Sequence, residues 1–176
     1  MDFKRIVDDA RGGFEKAVGK VPGYKGYKQK ELRREADKLL RLKIAGDLDI
    51  QRRRLNEQQM ALLGAGLIEF TDDLERAIVK LQTLTDRIKT ASYGYAGLFD
   101  AVKVKEGELD ALYTFDAGLL DGVPQVAEAI DKVAGVISAK AEVGPAISAL
   151  VQLVAQFNDL FSKRQEAIMK AGQDAQ

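Results

Sequence analysis

Between Lys28 and Ser92 the chain holds no proline, and from Met60 to Ile88 its apolar side chains recur in alternating steps of three and four. Met60, Leu63, Leu67, Phe70, Leu74, Ala77, Leu81, Leu84 and Ile88 keep this rhythm. Such spacing holds an apolar seam on one side of an α-helix for about four heptads, the condition for coiled-coil packing. A helix of this kind cannot cover its own seam and must find partner helices, in the same chain or in another.

The rest of the sequence reads as helices separated by turn signals. Phe3, Ile6, Val7, Ala10, Phe14 and Val18 repeat at helical spacing and predict a short amphipathic helix over 2–18. Pro22, Gly23 and Gly26 predict a turn in VPGYKGY. A long helical tract follows from Lys28 to Thr90, about 94 Å if unbroken. Gly46-Asp47 reads as a helix stop followed by an N-cap, so a break or kink is expected there. At Gly64-Ala65-Gly66 the apolar residues continue, which suggests a site of close helix contact. Asp72 and Asp73 after Thr71 have the character of a helical first turn, where negative charge suits the dipole. Residues 92–105 are expected to reverse the chain, with a weak strand-like alternation over 101–105 and an aromatic cap from Tyr93, Tyr95, Phe99, Tyr113 and Phe115. A third helical region spans Glu106 to Lys140, interrupted at Gly122-Val123-Pro124, with Val126, Ile130, Val133 and Ile137 on one face. Gly144-Pro145 predicts a turn, and a final helix covers 146–171. The expected fold is all-α: an elongated antiparallel helical bundle or coiled-coil hairpin with a short N-terminal helix. Residues 1–27 form the leading helix and Gly/Tyr turn, and 28–176 the long hairpin or bundle, in a single domain overall.

Composition narrows the chemistry. A hydrophobic fraction of 46% and a charged fraction of 31% suit a folded soluble protein. The chain has no cysteine and no histidine. Thiolate metal sites, cysteine nucleophiles, imidazole bases and the usual zinc or non-haem iron ligand sets are therefore excluded. No phosphate-binding loop or dinucleotide fingerprint is present, so no cofactor is expected and the chain is read as not an enzyme. The start, MDFKRIVDDARGG, mixes both charges and lacks the apolar core of a secretion signal. The longest uncharged stretch, Val143 to Asn158, is shorter than the ~20 residues a membrane span needs. The expected compartment is the cytoplasm.

Formal charge sums to zero, yet it is segregated along the chain. Lys20 to Arg54 carries twelve Lys and Arg against five Asp and Glu, whereas Glu106 to Asp131 carries seven acids and no base. Either the two stretches face each other, within a fold or across a dimer, or the basic one binds an anionic surface such as lipid headgroups or nucleic acid. Candidates for the second role are Tyr24, Lys25, Tyr27, Lys28, Lys30, Arg33 and Arg34, where rings could stack on bases and cations meet phosphates. The competing role for Tyr24 and Tyr27 is a hydrophobic staple on the following helix. Arg52-Arg53-Arg54 fans around a helix and reads as a solvated or salt-bridged segment, in which one arginine could pair across to an acid.

Between Ala146 and Phe157 only Ser148, Gln152 and Gln156 are polar, and they form one narrow stripe. A helix apolar around the rest of its circumference is the central strut of a bundle, an oligomer interface, or both. The candidate interface residues are Ile147, Leu150, Val151, Leu153, Val154, Phe157 and Phe161. The leading helix is expected to pack on the protein, because Asp2, Asp8, Asp9 and Glu15 on its polar face would be repelled by anionic lipid. A short amphipathic helix ahead of a long helical hairpin resembles, in layout and without a shared motif, membrane-remodelling proteins of the phage-shock and ESCRT-III type. The functional expectation is a non-catalytic helical scaffold or adaptor that forms a homo-oligomer or engages another protein. The alternative is a peripheral binder of membrane or nucleic acid through residues 20–54.

Overall fold

A computed structural model describes the backbone of residues 24–91 and 106–173, with the side chains of 38–91, 115 and 117–167. Helix α1 spans Tyr24–Ala65, α2 Thr71–Thr90, α3 Glu106–Ala139 and α4 Val143–Gln173, with a 3-10 turn at Ile68–Phe70. No strand occurs among the described residues, and the fold is an all-α helical bundle. The expected leading helix over 2–18, the turn at Pro22-Gly23, the 92–105 segment with its tyrosines, and the fraying end at 174–176 lie outside the described residues.

Each helix packs against two others: α1 lies beside α2 and α3, and α4 lies beside the same pair. Cross-helix contacts fix the directions. Arg41 reaches Ile88 and Ala91, and Gln59 reaches Glu75, so α1 and α2 are antiparallel. Gly118 lies against Leu160 and Gly122 against Phe157, so α3 and α4 are antiparallel as well. The Arg54–Asp131 ion pair and the Lys140–Ala65 hydrogen bond make α1 and α3 parallel. Asn158 on Lys80 and Phe70 on Gly144 do the same for α2 and α4. Two helical hairpins thus stand side by side, pointing the same way, with α2 and α3 at opposite corners of the bundle. With 42 residues, α1 is about 63 Å long; the 20 residues of α2 make about 30 Å.

The core is built on seven-residue steps. Leu48, Leu55 and Leu62 are buried on α1, Leu74, Leu81 and Ile88 on α2. On α3 the expected set Val126, Ile130, Val133 and Ile137 is buried, and on α4 Ile147, Val154 and Phe161 meet it. Each such step keeps a side chain on the same stripe of a helix. The apolar half of the seam that falls on α2 is as the spacing predicts.

The half that falls on α1 is not. Met60 and Leu63 are exposed, and Leu62 takes the core position. The cause is a helix break at Gly66, which resets the phase between α1 and α2. Gly66 adopts φ +77, its N–H donates to Leu63 O at 3.1 Å, and Leu67 N–H donates to Leu62 O at 3.0 Å. This is a Schellman stop, which glycine enters without a Cβ penalty. Gly46, where the break was expected, is carried through inside α1. Gly64 is no site of close contact within the chain, since a Cβ placed there would meet nothing within 4 Å. Beyond the break, Asp72 and Asp73 occupy the first turn of α2, as their charge suggests.

Three other turn signals are absorbed by helix. Gly26 lies inside α1, which already begins at Tyr24. The sequence Gly122-Val123-Pro124 does not interrupt α3, which runs through Pro124 at the expense of one helical hydrogen bond. Gly122 instead forms a notch for the Phe157 ring of α4; a methyl group there would overlap that ring. Pro145 falls in the first turn of α4, where a missing N–H costs nothing, and the reversal sits at Lys140–Glu142. Lys140 closes α3 with φ 54 in a second Schellman arrangement, Lys140 N–H to Ile137 O and Ala141 N–H to Val136 O, both at 3.2 Å.

Candidate functional site

The bundle's own packing decides which sequence candidates are available. Of the seven apolar residues on α4, Ile147, Leu150, Val154, Phe157 and Phe161 are buried in the core of the single chain, and Val151 and Leu153 are half-buried against it. The polar stripe Ser148, Gln152 and Gln156 is exposed. The helix therefore fills the strut role within one chain.

The basic tract divides in two. Tyr24, Lys25, Tyr27, Lys28, Lys30, Arg33 and Arg34 lie on the first turns of α1, but their side chains are outside the described residues. Further along, five cations are engaged within the chain. Arg41 is buried and donates to the carbonyls of Ile88 and Ala91, at 3.3 and 2.6 Å, closing the C-terminus of α2. Lys43 pairs with Asp47 one turn on. Arg52 and Arg53 both reach Asp49, at 2.9 and 3.3 Å. Arg54 crosses to the acidic tract, at Asp131 on α3. The hydrogen bond from Arg52 holds the Asp49 carboxyl below its ordinary value, more than the small loss of solvent opposes it.

One polar cluster was not foreseen from the sequence. Arg87 on α2 donates through Nη1 to the carbonyl and side chain of Asn158, each at 3.2 Å. Through Nη2 it donates to Ser162 at 2.8 Å and Gln165 at 3.2 Å, and its guanidinium stands 5.3 Å from the centre of the Phe161 ring. All four acceptors are neutral groups on α4, so the arginine serves as a clamp between two parallel helices. Its signal in the sequence was faint: a cation one residue before the buried Ile88.

No chemistry converges in the described part. Among the described residues no group of three acids could hold a metal, and no helix is long and apolar enough to cross a membrane. A surface groove between α2 and α4, about 160 Å³, is lined by Asp73, Arg76, Ile147, Ser148, Val151 and Gln152. Ligand sites commonly enclose about 300 Å³ or more. Asp73 and Arg76 in it pair with each other at 2.7 Å.

The outer face of α1 carries a line of exposed apolar side chains. Leu39, Leu42, Ile50 and Met60 are 56%, 43%, 51% and 68% exposed. With Gly46, Arg53, Glu57 and Gly64, also exposed, they fall on one stripe in steps of three and four. The helix thus carries two seams, one turned into the core through Leu48, Leu55 and Leu62 and one turned to solvent. The second is visible in the sequence once the first is placed one position away from the Met60 register. No family model, no curated protein and no solved structure matches the chain.

Proposed function

We propose that the chain is a non-catalytic helical scaffold or adaptor that self-associates, and that its contact surface is the outer stripe of α1. The observation that carries this reading is the exposure of Leu39, Leu42, Ile50 and Met60 along one line of a helix whose opposite side is already packed. Large apolar side chains scattered singly on a surface mean little, but a line of them at seam spacing is the form a partner helix takes up. The internal burial of the α4 residues supports the choice of α1 over α4. The engagement of Arg41 with the end of α2, of Arg52 with Asp49 and of Arg54 with Asp131 commits three cations of the basic tract within the chain, which favours this reading over an anionic surface.

Light scattering over a concentration series tests the reading. The native chain is expected to run as an oligomer at micromolar concentration, and Leu42→Lys with Ile50→Lys to run as a monomer of unchanged helicity. A native chain that stays monomeric across the series overturns it.

A further inference from the structure

We infer that the outer stripe of α1 pairs with the same stripe of a second copy in antiparallel register, about a two-fold axis at the level of Leu55. The inference rests on the self-association reading and adds its partner and geometry.

The argument starts from the order of residues along the stripe. In a two-fold antiparallel pair, facing positions have a constant sum, and a sum of 110 sets Arg53 opposite Glu57 of the second copy, twice by symmetry. The same register sets Ile50 opposite Met60, and Gly46 opposite Gly64. It also brings Leu42 to the level of the turn that carries the exposed Ile68. Charges meet opposite charges, Ile50 meets Met60, and the two small positions coincide, while Leu39 lies at the level of Thr71, past the end of the paired stretch. A parallel, in-register pair would stack Arg53 on Arg53 and Glu57 on Glu57, which is unfavourable. All eight stripe positions are exposed in the chain, so none needs to be withdrawn from the core.

The glycines give an independent reason. An exposed glycine inside a helix costs about 1 kcal/mol relative to alanine. Nothing within 4 Å of a Cβ at Gly46 or Gly64 requires its absence within the chain. A second backbone passing close to each would. The Arg53 guanidinium donates to Asp49 through a long, exposed contact of 3.3 Å and retains further N–H groups for a carboxylate across the axis.

Charge exchange and cross-linking test the register. Arg53→Glu and Glu57→Arg are each expected to raise the dimer dissociation constant about tenfold or more, since each spoils two symmetry-related pairs. Combined, they restore it. The chain has no cysteine, so introduced ones report cleanly. Ile50→Cys with Met60→Cys in one chain should oxidise to a covalent dimer, because within a chain the two positions stand about 15 Å apart and cannot join. Neither single cysteine variant should cross-link. A native dimer in which the charge exchange fails to restore affinity, or in which the Ile50→Cys chain joins to itself, overturns the register while leaving self-association standing. A native monomer overturns both. A chain that stays monomeric until residues 1–23 are removed would assign the stripe to that segment and overturn the second-copy pairing.

Discussion

Lys140 Nζ donates to the carbonyl of Ala65 at 2.8 Å, so the residue that ends α3 also closes the end of α1. The two helices are parallel and stop at the same level, which places a cation among carbonyls left without helical donors. Lys140 holds φ 54, a conformation costly for any side chain with a Cβ.

Lys140→Ala removes the cap and keeps the left-handed strain, and is expected to cost about 0.5–1 kcal/mol by urea denaturation. Lys140→Gly removes both, so the relief of strain offsets the lost cap and the variant should be at least as stable as Lys140→Ala.

Gly122 and Gly135 lie on the same helix and should respond in opposite directions. Gly122→Ala forces a methyl group into the Phe157 ring and is expected to destabilise by about 1–3 kcal/mol. Gly135 is exposed and a Cβ there meets nothing within 4 Å, so Gly135→Ala should gain up to about 1 kcal/mol. Thermal unfolding of both variants, side by side, checks the pair.

Arg87 holds α2 to α4 through four acceptors and one ring. Arg87→Met is expected to cost about 1–3 kcal/mol. Arg87→Lys should recover little of it, since an ammonium cannot span the acceptors that the planar guanidinium spans. The partners are neutral, so the loss should change little with added salt. Denaturant midpoints at low and high salt provide the measurement.

Asp49 titrates below its ordinary value of 3.8 because Arg52, and secondarily Arg53, favour its ionised form. A lowered folded-state value means that its contribution to stability is present above the unfolded-state value and is lost as pH falls through the folded one. Carbon NMR of the Asp49 carboxyl should show the low midpoint. Arg52→Ala should move it up toward 3.8, with Arg53 retaining part of the effect.

The fold class was legible because buried positions at seven-residue steps leave a strong trace in α2, α3 and α4. The α1 register was not. The Met60 spacing runs unbroken through Leu63, Leu67 and Phe70, so an apolar pattern alone cannot show that Gly66 has turned left-handed between them. The same ambiguity hid the outer stripe: α1 is apolar on two sides, and periodicity does not say which side finds the core. Gly46 and Gly122 misled for another reason. Inside a long, well-packed helix the tertiary contacts outweigh the ~1 kcal/mol a glycine costs, and at Gly122 they exploit its missing side chain. Arg87 escaped notice because its value lies in where Asn158, Ser162 and Gln165 stand, which only the pairing of α2 with α4 decides.

The side-by-side hairpins set the start of α1 and the finish of α4 at one extremity of the body, because α1 runs against α2 and α2 runs with α4. Tension applied through those two points would load the helices as a zipper is loaded, parting contacts a turn at a time. The Gly66 and Lys140 stops, at the far extremity, would be the last to feel the pull.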